Sequence, residues 1–236
     1  MLGIGVHSLS GFRAAVENGR GLEIGGPSPS FQDYGILPIY RFVSSLDNAV
    51  FSGSTIWEGQ RAEGRTFQYH PRKENGQNYI REATDLRGID SASYDFVLSC
   101  QNLEHTANPL KALKEWRRVI RPGGSLIVIL PYYRFGFDHR RQPTTVEHMI
   151  EDFRNGIDET DQTHLPEILE LHDFARDRKA GAAEQFHARS LRNFENRCLH
   201  HHVFDCVNSR QLLEAAGLRV DSVETVRRSI VLLAGA

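Results

Sequence analysis

Apolar residues fall along this chain in short runs, broken once by a clear helical stripe. Tyr94–Cys100 is nearly all apolar, as expected for a strand covered on both faces. Pro109–Arg121 sets Leu110, Leu113, Trp116 and Ile120 at helical spacing, with Lys111, Lys114, Glu115 and Arg118 on the opposite face. Pro109 suits a first helical turn, and Pro122-Gly123-Gly124 stops the helix and turns the chain. Ser125–Leu130 is apolar again. Strand, polar turn, helix, turn and strand make one parallel β-α-β unit.

The flanking pattern extends this unit. Gly11–Asn18 predicts a short helix, Gly21–Ile24 a first strand, and Arg41–Leu46 a second strand ending at Asp47-Asn48. Residues 48–77 are polar and glycine-rich and predict a long, weakly structured excursion before a third strand, Asn78–Glu82. After Leu130 the sheet pattern breaks. Residues 132–202 are polar, with predicted helices at Glu147–Phe153, Pro166–Arg178 and Ala182–Phe194. A helix at Ser209–Ala216 and strands at Leu218–Val226 and Ser229–Ala234 close the chain. The expected fold is α/β: a seven-stranded, mostly parallel sheet with helices on both faces and a helical insertion after the fifth strand. Residues 1–131 and 203–236 form its core, and residues 132–202 form a lid. Such a lid lies at the carboxyl edge of the sheet, where open α/β sheets bind ligands.

The 236 residues are enough for one large domain or a domain with a cap. A formal net charge of −2 provides no basic footprint, so nucleic acid is not expected as a partner. No apolar run approaches the length of a membrane span, and Met1–Ser10 lacks the pattern of a signal peptide. Cys100, Cys198 and Cys206 have neither metal nor disulfide spacing and read as reduced thiols of a cytoplasmic protein. Histidine is the oddity: eight of the 11 fall between His139 and His202.

Several segments resemble one family in order. Glu23-Ile24-Gly25-Gly26 resembles its first motif, and Ile80-Arg81-Glu82-Ala83-Thr84-Asp85-Leu86 its third. Ser99–His105 resembles its fourth, followed at the right distance by Arg117-Arg118-Val119-Ile120-Arg121-Pro122-Gly123-Gly124. The chain thus resembles the class I S-adenosylmethionine (SAM) methyltransferases, nearest their type 11 branch, with a Rossmann-like sheet. The resemblance implies SAM as cofactor, S-adenosylhomocysteine as product, and cofactor contacts from Glu23, Gly25, Gly26, Asp47, Glu82, Ala83, Ser99 and Gln101. Asp47 lies 22 positions after Gly25, near the spacing of a ribose-binding acid in a nucleotide-binding β-α-β unit. One departure stands out. Pro27 and Pro29 occupy later glycine places of the first motif, and proline removes an amide donor. Either the amides of Gly25, Gly26 and Ser28 still cradle the methionine end, or the loop binds weakly until the insertion completes it, or the fold is a scaffold without chemistry.

Methyl transfer to a hydroxyl needs an aligned nucleophile and a general base. His139, close after the fifth strand, and His164 are the candidate catalytic residues. The expected acceptor is a small molecule or a saccharide, with oxygen favoured over nitrogen; the alternative is a non-catalytic relative that binds a partner through the insertion. No compact His-x-x-x-His or His-Glu-x-x-His spacing occurs, so no metal is expected. Arg140-Arg141 is a candidate anion grip, and Tyr132, Tyr133 and Phe135 are candidate pocket walls. Trp57 either anchors the polar excursion or shields adenine.

Overall fold

The structure, a computed structural model, describes residues 8–55 and 59–236. Trp57 and most of the Met1–Ser10 segment therefore lie outside the described residues.

Among the described residues ten strands follow in chain order: β1 (Arg20–Ile24), β2 (Ser45–Val50), β3 (Ser54–Thr55), β4 (Gly59–Gln60), β5 (Gly64–Phe67), β6 (Gly76–Ile80), β7 (Tyr94–Cys100), β8 (Ile120–Pro131), β9 (Arg219–Val226) and β10 (Ser229–Gly235). Eight of them form one sheet in the order β5-β6-β2-β1-β7-β8-β10-β9, while β3 and β4 pair apart from it. The five strands from β6 to β8 run parallel, β5 and β10 run against them, and β9, antiparallel to β10, runs with them. The sheet has one strand more than the seven expected. The added edge strand, β5, arises in the polar excursion and buries little, so it left almost no apolar signal.

β2 also starts later than the sequence pattern suggests. Asp47 and Asn48 resemble a strand end but lie inside the strand, buried and bonded. The amide group of Asn48 joins two neighbours: its Oδ1 accepts from the Gly26 N–H at 2.9 Å, and its Nδ2 donates to Asn78 Oδ1 at 2.7 Å. A buried amide satisfied on both sides is tolerated where an unpaired one is not.

One face of the sheet carries α2 (Pro109–Val119), α3 (Val146–Asn155) and α7 (Cys206–Ala215). Trp116, Leu113, Met149 and Leu212 are completely buried there. Asn108 caps α2 by accepting from the Lys111 N–H at 3.1 Å. The other face carries α1 (Leu9–Val16) and a segment with no α-helix, residues 25–44, which holds two 3-10 turns. Phe31, Leu37, Ile39, Tyr40 and Val43 of that segment are completely buried and replace the helix that usually follows a first strand. Pro27, Pro29 and Pro38 explain the substitution, because proline lacks the amide a helix interior needs.

After β8, α3 packs on the main body. The remaining helices, α4 (Leu165–Leu171), α5 (Ala183–Ser190) and α6 (Asn193–Asn196), gather around a small core of their own: Leu165, Ile168, Ala180, Phe186 and Leu199. They are shorter than their polar periodicity suggests; α4 ends where His172 turns extended at ψ 129°. No helix among the described residues is long and apolar enough to cross a membrane.

Candidate active site

The strand order reverses between β1 and β7, which leaves a crevice beyond their carboxyl ends. A cleft of about 1050 Å3 opens there. Its floor is the turn after β1 and the turn after β7, one wall is Phe51, Glu82 and Ala83, and the opposite wall is Tyr132, Tyr133 and Phe135. Residues of the insertion, among them Glu159 and Arg197, roof it. The aromatic wall matches the expectation for Tyr132, Tyr133 and Phe135.

The structure separates the expected cofactor residues into two groups. Gly25, Glu82, Ala83 and Gln101 line the cleft. Glu82 also accepts a hydrogen bond from Arg197 Nη2 at 2.6 Å, which ties the insertion to the cleft wall. Glu23, Gly26, Ser99 and Asp47 are not among the lining residues. Glu23 is completely buried under the loop and accepts from the Ser28 N–H at 3.1 Å, Ser28 Oγ at 2.6 Å and Tyr40 Oη at 2.6 Å. It fixes the loop from behind. Gly26 is required by that packing, since a Cβ there would lie 2.3 Å from the Glu23 carboxyl. Gly25 holds φ +75°, a left-handed conformation that favours glycine. Ser99 is buried within β7, opposite Ile24.

The amides expected to cradle the methionine end are already used. The Gly25 N–H donates to Ala49 O, the Gly26 N–H to Asn48 Oδ1, and the Ser28 N–H to Glu23 and Tyr40. This corrects the expectation for that loop: its donors hold the loop itself.

Asp47 is a second correction. Registered against Leu22, it lies in the first half of β2 and borders a separate cavity of about 590 Å3 toward the amino edge of the sheet. Its carboxylate accepts from Arg20 Nη2 at 2.9 Å, Tyr94 Oη at 2.8 Å and the Gln77 N–H at 2.8 Å. The 22-residue interval fits a ribose acid only if the strand ends at Asp47, and it does not. Asp47→Ala is expected to lower stability by about 1–3 kcal/mol, because a buried tyrosine hydroxyl loses its acceptor, and to leave SAM binding unchanged. Thermal unfolding and titration calorimetry on the same variant check both.

The candidate bases change as well. His139 donates to Asp173 Oδ2 at 2.8 Å and does not line the cleft. His164 lies 3.1 Å from His148, also away from the cleft. The titratable groups gathered at the cleft beyond β7 are Glu104, His105 and His200 with Asp138. Glu104 follows β7 in a short 3-10 turn, is 1% exposed, and has no hydrogen-bond partner on either carboxylate oxygen. Burial pushes its pKa from 4.5 up to about 7, against the opposing charge of His200. His200 is bonded through Nδ1 to Asp138. Burial alone would lower the His200 pKa, but the Asp138 charge and hydrogen bond outweigh it and raise it. The neighbouring His105 goes the other way, held neutral by burial and by the His200 charge. Glu104 lies in the fourth-motif segment, Ser99–His105, where nothing in the sequence marks it as a base. The signal available is an acid in the first turn after a nearly all-apolar strand.

Arg141 is not an anion grip. It is 2% exposed and donates to the carbonyls of His200 at 2.7 Å and His201 at 3.0 Å, to Glu167 at 3.1 Å, and to Asp138. It clamps the His200–His202 segment in place.

The sequence pattern of a family described as a methyltransferase domain matches residues 53–128. A chain from Mesorhizobium loti, an S-adenosylmethionine-dependent methyltransferase, superposes with TM-score 0.54 at 14% identity, covering 97% of this chain and 95% of that one. A SAM-dependent methyltransferase from Methanosarcina mazei gives 0.50 at 13% identity over 98% of both chains. Residues 53–128 thus carry that family's sequence pattern, and the whole chain shares the fold of these solved methyltransferases. A Haloferax volcanii chain in complex with the Trm112 methyltransferase activator also shares the fold, at TM-score 0.53 and 11% identity over 97% and 87% of the chains. Among curated proteins, the lovastatin diketide synthase of Monascus pilosus is 42% identical over 45 residues, 19% of this chain. This methyltransferase-fold chain aligns with only 2% of that synthase's length.

The residues at hand suit the superfamily's cofactor at one end. Glu82 and Ala83 line the cleft where the third motif implies adenine contact. At the other end the backbone offers no free amide from Gly25, Gly26 or Ser28, and the polar groups facing the cleft there are side chains, Ser30 and Gln101.

Proposed function

We propose that this chain transfers a methyl group from SAM to an oxygen of a small-molecule or saccharide acceptor, with Glu104 as the general base. SAM supplies an electrophilic methyl on a positively charged sulfur, and the protein aligns the acceptor and removes its proton. The observation that carries the reading is the Glu104 carboxyl: buried, unpaired, adjacent to the cleft and poised near neutrality. A base with a pKa close to the working pH combines adequate population with adequate strength. Asp138 raises the pKa of His200, and positive charge there favours the Glu104 carboxylate, the form that takes the acceptor's proton. The cleft, about 1050 Å3, has room for a nucleoside cofactor and an acceptor of modest size. Tyr132, Tyr133 and Phe135 provide an aromatic wall that suits a sugar ring or an aromatic acceptor.

A second reading has its own support. The internally bonded loop amides and the Glu82–Arg197 contact favour a superfamily member that binds a partner through residues 132–202 without catalysis. Calorimetry separates the two. Micromolar SAM or S-adenosylhomocysteine affinity, lost in Ala83→Trp because the bulk fills the adenine wall, supports the enzyme. Absence of binding by the intact chain supports the scaffold.

A further inference from the structure

Four side chains on the far side of the insertion converge on one point. His148 and Asp152 are four apart on α3 and so share a helix face. His164 immediately precedes α4, and His202 lies in the segment between α6 and α7. One donor atom from each of the four falls within 4.8 Å of every other. His148 Nε2 is 3.1 Å from His164 Nε2 and 3.5 Å from Asp152 Oδ2, and His202 Nε2 is 3.6 Å from the same oxygen. Donors on a tetrahedral zinc ion, each bonded at about 2.0–2.1 Å, stand about 3.3–3.4 Å apart. These three separations bracket that value.

The cluster is poorly explained without an ion. Asp152 is 8% exposed, yet its Oδ2 has no hydrogen bond. His202 is 1% exposed, and its Nδ1 has none either. A buried carboxylate facing three imidazoles and lacking a hydrogen bond is costly to keep empty-handed. None of the four residues lines the cleft, so the cluster is separate from the Glu104 site.

We propose that His148, Asp152, His164 and His202 bind one divalent transition-metal ion, zinc by preference, as a structural staple. Three imidazoles and a carboxylate form a closed four-coordinate set of nitrogen and oxygen donors, which suits zinc and leaves no position for substrate. The ion joins α3, the start of α4 and the segment before α7. His202 Nε2 lies 3.1 Å from the Ala107 carbonyl, a bond that gives way when the nitrogen takes the metal, and the Ala107 N–H donates to Glu159 at 3.1 Å, so the staple sits beside the edge of the cleft roof. On ligation through Nε2, the His202 ring proton moves to Nδ1. The sequence does not announce the site because its donors come from three segments, and only the His148–Asp152 pair is close in the chain.

The test uses the full chain and the metal alone. Protein stripped with chelator and desalted is titrated with zinc and with cobalt(II). The expected result is about one equivalent retained through desalting, a melting temperature several degrees higher with zinc, and the visible bands of tetrahedral cobalt without thiolate charge-transfer absorption. Asp152→Asn and His164→Ala are each expected to lose tight retention at least 10-fold. Their melting temperatures in chelator should match that of stripped wild type, which shows that they fold. Failure of wild type to retain zinc overturns the proposal with no variant needed. Retention that survives both substitutions overturns it too, as does retention lost only in Glu104→Gln, which would place the ion at Glu104, His105 and His200.

Discussion

Glu104→Gln is expected to abolish methyl transfer and, at the same time, to make the protein more stable at alkaline pH. The two effects have one cause. In the folded chain the Glu104 carboxyl is completely buried without a partner, and its pKa stands near 7, against 4.5 ordinarily. The sign of the linkage follows. Between those two values the folded protein holds a proton that the unfolded chain has released. The native state therefore binds more protons, and stability falls as pH rises from about 4.5 to about 7, then levels off. Above pH 7 the charge is present in both states, and the native state carries the full cost of burying it, at most about 3 kcal/mol. Glutamine imitates the protonated form at every pH. The difference in unfolding free energy between Glu104→Gln and wild type should thus be small at pH 5 and approach that ceiling at pH 8. Turnover should drop by about 10²–10⁴-fold, the usual contribution of a positioned base. For wild type, turnover should rise as pH passes through about 7, and Glu104→Asp should keep part of it. Denaturant unfolding at two pH values with a methyl-transfer assay decides. A variant that is inactive but shows no pH-dependent gain in stability would mean that Glu104 is charged and paired when the protein is folded.

Glu159 provides a useful comparison, because burial pushes it to about 7 as well. It differs in being attached: one oxygen accepts from the Ala107 N–H, and the other lies 3.8 Å from Arg197 Nε. Glu159→Gln should reproduce part of the pH-linked stabilisation without the loss in chemistry. That contrast separates a carboxyl that holds the roof from one that takes a proton.

The parallel unit from Tyr94 to Leu130 was legible in the sequence because three independent signals agree there. The strand is apolar on both faces, the helix is striped, and Pro122-Gly123-Gly124 stops it. Helix α3 and the closing helix and strand pair were legible for the same reason. The second strand was not. Its buried Asp47 and Asn48 look like a strand end, and only the pairing partners Tyr94, Gln77, Asn78 and Gly26 make them interior residues. That single shift removes Asp47 from the cleft. The candidate bases failed for a related reason. His139 and His164 are near the fifth strand or in the polar insertion by sequence, but side-chain direction inside a segment with a core of its own cannot be read from composition. His200 arrives in the cleft from 59 positions beyond Arg141, held by a buried guanidinium whose position beside Arg140 suggested a surface turn.

That guanidinium leads to the second large expectation. Arg141→Ala should destabilise the protein by about 3–5 kcal/mol, the range for removing one partner from a buried ionic network. The Arg141 side chain is 1% exposed, and it is the shared donor for the carbonyls of His200 and His201 and for Glu167 and Asp138. Its removal leaves two carbonyls and a carboxylate less satisfied in a site from which water is excluded. The damage should be local before it is global. Hydrogen exchange should accelerate in residues 198–203 and in α4, while β7, α2 and β8 keep their protection, since those elements draw on the separate core around Trp116. Arg141→Lys should recover some but not most of the loss. An ammonium can pair with Asp138 but cannot span two carbonyls and a carboxylate as a planar fork does. Because Asp138 and Arg141 together set the position of His200, the lysine variant should also lower turnover more than it raises KM: the aromatic wall of Tyr132, Tyr133 and Phe135 is intact, whereas the imidazole beside Glu104 is displaced. Uniform loss of exchange protection across the sheet would instead make Arg141 a keystone of the whole fold, and the insertion could no longer be treated as a unit docked on it.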